Sequence, residues 1–330
     1  MGGYEGAGRC CKGSDHKASF RDRGIFTDNM IKAQIRKLVV FATVLLALSF
    51  FACKQTSPPK AGNDSRLKVV TTIAPLYSFT KNIAGDSVIL ENLLPSGVGP
   101  HEYSLSPEDA RKIADADILI KNGVGLEAWM NKLTDSADEI RGDSKKLILV
   151  DTSEGVDIID NDPHIWLSLR NAVLQVKNIE AVLVKADPGN ADSYKKDTAD
   201  YISLLEDLDR EIAESVATWE KKEFITFHSA FAYFAEDYGL EQSAVIEGSP
   251  EAQPSPAHIA EIINIIKESG TGVIFSEPNA SHKIMDAIAG DLGLRVYSLD
   301  TLETGNLVSG WYISKMRANL KTLNMALGNK

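Results

Sequence analysis

His101, His164, His228 and Asp300 each stand just past an apolar run, and side chains of those types can hold a divalent cation. Val88-Ile89-Leu90 through Leu93-Leu94 leads into the turn Pro95-Ser96-Gly97-Val98-Gly99-Pro100 and then His101. Lys146 to Val150 is followed, after a polar loop, by Asp162-Pro163-His164. Phe224 to Phe227 runs straight into His228, and Leu294 to Leu299 into Asp300. Three imidazoles and a carboxylate suit a borderline cation such as zinc, which favours four-coordinate tetrahedral sites. A catalytic zinc keeps one position open for water, so four protein ligands hold a metal rather than use it. Taken singly, each imidazole reads as a hydrogen-bonded polar residue at a strand end; the shared placement is what points to a cation site.

The surrounding patterns say what positions these residues. Short β-branched or aromatic runs alternate with helical ones, the mark of α/β units with parallel sheets. In such sheets ligands lie in the crevice beyond the carboxyl ends of the strands. Ser106-Pro107-Glu108-Asp109 is a capping-box-like helix start with proline at the first helical position. Asp187-Pro188 closes one helix and opens another. From Ala191 to about Thr218 the residues Tyr194, Tyr201, Leu204, Leu205, Leu208, Ile212 and Val216 recur three, four or seven apart without internal glycine or proline. That spacing predicts one amphipathic helix about 40 Å long.

Glu277 also ends a strand-like run, Val273 to Ser276, and is expected beside the site either as a polar neighbour or as a direct ligand. His258, in a predicted first helical turn, and His282, at a helix start, are left out of it. A metallohydrolase is disfavoured: no His-Glu-x-x-His helix is present, and Glu102 beside His101 lacks a second histidine four residues on. No enzymatic activity is expected.

Four motifs together resemble one family. They are Pro100-His101-Glu102-Tyr103 with Ser106-Pro107, Asp162-Pro163-His164-Ile165-Trp166-Leu167, Phe227-His228-Ser229-Ala230-Phe231-Ala232-Tyr233-Phe234, and Ser249-Pro250-Glu251-Ala252-Gln253-Pro254-Ser255-Pro256. The chain from about Leu67 onward is similar to the zinc/manganese-binding solute-binding proteins of bacterial ABC transporters. The resemblance implies two (α/β) lobes, each a mainly parallel sheet flanked by helices, joined by one long rigid helix, with the metal between them. It places metal contacts on His101, His164, His228 and Asp300, two from each lobe. It implies an ABC permease and its ATPase subunit as partners, and a monomer. Zinc is favoured by the donor set and manganese comes next, because Val124 to Asp162 lacks the histidine-rich loop of many zinc-dedicated members. A surface adhesin or host-interaction lipoprotein is the alternative reading.

The chain's beginning locates this chemistry. Lys32, Arg36 and Lys37 precede an apolar run from Leu38 to Ala52 and then Cys53, the order of a signal peptide with a lipoprotein cysteine. The run is shorter than the roughly 20 residues a spanning helix needs. The expected organisation is an upstream extension (1–29), a lipoprotein signal peptide (30–52), a flexible tether (53–66), an N-terminal metal-binding lobe (67–187), a long linking helix (188–218) and a C-terminal metal-binding lobe (219–330). Lipidation of Cys53 would anchor the protein to a membrane outside the cytoplasm, in the periplasm or at the cell surface. No cysteine follows Cys53, so stability must come from the core. The chain carries a formal charge of -11; removing residues 1–52 takes away eight Lys/Arg and four Asp/Glu and leaves -15. Such a surface favours solubility and disfavours nucleic acid as a partner.

Overall fold

A computed structural model of the chain describes residues 36, 64–101, 103–130, 146–247, 254–270, 272–278 and 283–328. The signal peptide, Cys53, most of the tether, Glu102, the segment 248–253 and His282 lie outside the described residues. Residues 65–330 form one compact unit.

Two four-stranded sheets organise that unit, and every pairing in both is parallel. The first contains β1 (Leu67–Thr71), β2 (Val88–Asn92), β3 (Ile118–Lys121) and β4 (Ile148–Asp151) in the order β2-β1-β3-β4. The second contains β5 (Glu223–His228), β6 (Glu241–Glu247), β7 (Val273–Ser276) and β8 (Arg295–Ser298) in the order β6-β5-β7-β8. The lobes thus repeat one topology. Parallel strands must be covered on both faces, so the central ones read as continuous apolar runs: Ile118, Leu119 and Ile120 of β3 are all buried, as are Val273, Ile274 and Phe275 of β7.

The helices follow the expected signals closely. Ser106 caps α2 (Pro107–Asp115), reciprocally paired with Asp109 in a complete capping box; α1 (Ala74–Ala84) precedes it. Then come α3 (Leu169–Ala186) and the long α4 (Ala191–Ala217). The buried stripe of α4 is Tyr194, Thr198, Tyr201, Leu205, Leu208, Ile212 and Val216. Leu204, counted in the apolar pattern, is instead exposed, because it falls one position off that stripe. In the second lobe stand α5 (Ala232–Tyr238), α6 (Pro256–Ser269), α7 (Lys283–Leu292) and α8 (Trp311–Leu327). Among the described residues no helix is long and apolar enough to cross a membrane.

One hydrophobic core runs through both lobes. It joins Val69, Leu76 and Phe79 to Tyr201, Leu205 and Leu208 of α4 and to Phe224, Phe275, Leu302 and Tyr312. The long helix is not the sole connection. Ser78 Oγ and Asn82 Nδ2 of α1 donate to the Ser309 carbonyl at 2.6 and 2.7 Å, so the start of α8 is fastened to the first lobe. Tyr312 of α8 donates to the Trp166 carbonyl at 2.6 Å, and Trp166 Nε1 to the Thr301 carbonyl at 2.8 Å.

Candidate metal centre

Three imidazoles and a carboxylate converge where the carboxyl ends of the two sheets face each other. His101 follows the loop after β2, His164 opens the short 3-10 turn Ile165–Leu167 beyond β4, and His228 is the last residue of β5. The fourth group is Glu303, on the loop after β8. One ligand atom from each of these four residues lies within 4.8 Å of all the others. Glu303 Oε1 is 2.9 Å from His101 Nε2 and 3.0 Å from His164 Nε2, and those two nitrogens are 3.2 Å apart. His228 Nδ1 stands 3.8 Å from the same oxygen. Ligands about 2.0–2.1 Å from a tetrahedral zinc are separated by roughly 3.3 Å, a spacing that the His101, His164 and Glu303 atoms approach at 2.9 to 3.2 Å, with His228 Nδ1 farther off at 3.8 Å.

Of the expected residues, the structure brings His101, His164 and His228 together and leaves Asp300 out. Asp300 Oδ1 accepts from the Leu302 amide at 2.9 Å and Oδ2 from Lys315 Nζ at 2.8 Å. Its backbone is clamped by Asn319, which accepts from the Asp300 amide at 2.9 Å and donates to its carbonyl at 2.7 Å. Asp300 therefore builds a turn in which Leu302 takes a left-handed conformation (φ 59°), and this turn carries Glu303 into the cluster. Pattern reading stops at the first acidic residue past the strand. A leucine in that backbone region is unfavourable unless its surroundings hold it, and nothing in its type announces the bend. Gly305 fixes the far side of the loop: a Cβ there would lie 2.2 Å from the Trp311 ring.

The environment orients and charges these groups. His164 Nδ1 lies 2.5 Å from Asp162 Oδ1, the carboxylate-to-imidazole contact that sets the tautomer of a ligating histidine. Burial pulls the His164 pKa down, but the Asp162 and Glu303 carboxylates outweigh it and lift it to about 9. Burial raises the Glu303 carboxyl, and the His101 and His164 contacts overcome this and hold it well below the usual range. His228 is fully buried, and neither ring nitrogen has a well-aligned hydrogen-bond partner. A buried polar atom without a partner is costly, and a bound cation would satisfy one of the two. Glu277 lies at 3.2 Å from His228 Nδ1 through Oε1, while its Oε2 accepts from Thr301 Oγ1 at 3.1 Å. It borders the cluster of four without belonging to it.

His258 is half-buried on α6, 3.4 Å from Glu261 and outside the cluster of four. Replacing it by alanine is expected to leave metal affinity unchanged within error in a competition titration.

Known proteins share this chain's sequence and fold. The family of the periplasmic zinc-uptake complex component A (ZnuA) matches residues 69–326. The high-affinity zinc uptake system protein ZnuA of Bacillus subtilis (strain 168) is 34% identical over 313 residues, spanning 88% of this chain and 97% of its own length. The manganese ABC transporter substrate-binding lipoprotein PsaA of Streptococcus pneumoniae is 31% identical over 304 residues, spanning 87% of this chain and 96% of its own. Among solved structures, the Zn(II)-bound ZnuA-like domain of Streptococcus pneumoniae AdcA superposes with a TM-score of 0.70 at 34% identity, covering 80% of this chain and 100% of that one.

Proposed function

Because this chain belongs to the family of periplasmic zinc-uptake A components, we propose that it is the metal-binding receptor of an ABC importer. It captures one divalent transition metal between its lobes and delivers it to a permease driven by a separate ATPase subunit. It is a carrier of its substrate and not an enzyme. The observation that carries the reading is the four-residue cluster of His101, His164, His228 and Glu303, drawn from both lobes and buried except for the edge of His101.

In this reading the chain's residues act in sequence. His101, the most accessible of the four, meets the incoming cation first. His164 gives up its proton as the metal arrives, and the Glu303 carboxylate supplies the compensating charge. Three nitrogens and one oxygen favour zinc, while manganese prefers more oxygen ligands. Both Glu303 oxygens bound at once would accommodate manganese, which remains the second candidate. Cys53 as the lipid anchor, a monomeric state, and a division into lobes at 67–187 and 219–330 about a linking segment at 188–218 complete the proposal.

The shared core and the α1 to α8 fastening argue against wide hinge opening. On adding zinc, the radius of gyration from small-angle scattering is expected to change by less than about 1 Å, the scale of adjustment in preorganised binding. A compaction of several ångströms would contradict this.

Deletion of the gene tests the function itself. Growth should fail in zinc-depleted medium and recover with excess zinc. A defect in surface attachment with no metal-limited phenotype would favour the adhesin reading instead.

A further inference from the structure

The turn after β3 contains no metal ligand, yet it touches both first-lobe histidine loops at equivalent points. Trp129 Nε1 donates to the Pro100 carbonyl at 3.0 Å, and Asn122 Nδ2 donates to the Pro163 carbonyl at 2.8 Å. Each acceptor belongs to the residue immediately before an imidazole of the cluster. We infer that Asn122, Glu127 and Trp129 form a positioning bracket that fixes the spacing of His101 and His164, with Glu127 as its internal pin. This inference rests on the metal-receptor reading above.

Glu127 is buried and closes the turn from within. Its Oε1 accepts from the Asn122 amide and from Thr72 Oγ1, both at 2.7 Å, and its Oε2 from the Gly123 amide at 3.1 Å. All three partners are donors, so the position calls for a group that only accepts. A glutamine amide would turn its own N–H toward one of them. The turn that wraps around this carboxylate holds Gly123, Val124 and Gly125 at φ values of 94°, 52° and 79°. Gly123 has no room for a side chain, because a Cβ would stand 2.1 Å from Asp151 Oδ1.

The two arms are oriented as firmly as the pin. Gln175 Nε2 donates to Asn122 Oδ1 at 3.1 Å, which turns the amide's N–H side toward Pro163. The Trp129 ring meets Tyr103 edge-on at 5.1 Å, and Tyr103 is tied to Asp109 of α2. A rigid turn with one hydrogen bond to each loop sets the distance between two ligands without touching the metal. Metal sites are sensitive to such supports, whose loss typically costs about 10- to 100-fold in affinity.

Trp129→Phe keeps the ring contact and removes only the hydrogen bond to Pro100, Asn122→Asp removes the donor to Pro163, and Glu127→Gln disturbs the pin. Each full-length variant is to be compared with the wild type for zinc affinity by chelator competition and for the visible spectrum of bound cobalt(II), which reports ligand geometry. Melting temperature of the metal-free protein is measured alongside. The bracket predicts an affinity loss of about 10-fold or more in Trp129→Phe and Asn122→Asp, with an altered cobalt spectrum, in protein that is still folded. Lower melting temperatures with wild-type affinity and spectrum would reduce these residues to scaffold and overturn the inference. Should Glu127→Gln or Asn122→Asp not fold, Trp129→Phe decides alone. A wild-type chain that binds neither metal would overturn the receptor reading, whereas normal wild-type binding matched by all folded variants would overturn the bracket only.

Discussion

Glu303→Ala should weaken zinc binding by more than about 100-fold, and Asp300→Ala should cost less. Groups that only support a ligand account for about 10- to 100-fold when removed, so loss of a direct ligand is expected to exceed that range. Glu303 Oε1 lies within 3.0 Å of two imidazole nitrogens, whereas both Asp300 oxygens are engaged by Lys315 and the Leu302 amide. Asp300→Ala would loosen the turn that delivers Glu303, so a smaller loss is expected through that route. Glu303→Gln separates charge from shape: it keeps an oxygen in place and removes the negative charge that offsets the cation. Competition titrations on the three variants give the ranking. A larger loss in Asp300→Ala than in Glu303→Ala would assign the fourth ligand to Asp300.

Zinc affinity and the stability of the metal-free protein should move in opposite directions as pH rises from 6.5 to 9. Burial opposes protonation of His164, but Asp162 and Glu303 prevail and place its pKa at about 9, above the ordinary 6.5. At neutral pH the metal-free His164 therefore carries a proton that the metal must expel. Each proton displaced makes affinity change about tenfold per pH unit. Between pH 8.5 and 5.5 the affinity should therefore fall at least about 100-fold.

The same raised pKa stabilises the metal-free fold. That contribution is complete below pH 6.5 and is lost as pH climbs through about 9, so melting temperature in the presence of a chelator should decline over this interval. The depressed Glu303 carboxyl acts at the other end, and its contribution disappears as pH drops below the ordinary value of 4.5. Calorimetric titrations and thermal melts across the range check both signs. A pH-independent zinc affinity would remove the imidazoles from the site.

What could be read from the sequence was what depends on local pattern. His228 closes an apolar run that forms a strand, and His101 and His164 sit in the loops that follow two others, each directly after a proline, so their placement beyond strand ends was legible. The Ser106 cap and the span of α4 were legible for the same reason, since capping and helical spacing are properties of neighbouring residues. Glu303 was not, because its delivery depends on a left-handed Leu302 held by Asp300 and Asn319, and Asn319 lies in α8. Leu204 showed that apolar type alone does not assign a face when Leu205 is adjacent. The fastening of α8 to α1 likewise joins residues more than two hundred positions apart, Ser78 and Asn82 to Ser309. No local pattern encodes such a contact.

The decisive measurement is a calorimetric titration of the metal-free full chain with zinc at pH 7.5, run beside His228→Ala. The wild type should bind one zinc per chain in a single saturable transition, and His228→Ala should lose most of that affinity, because His228 is a fully buried member of the cluster. One-to-one binding of undiminished affinity in His228→Ala, or no saturable binding by the wild type, would contradict a metal held between His101, His164, His228 and Glu303.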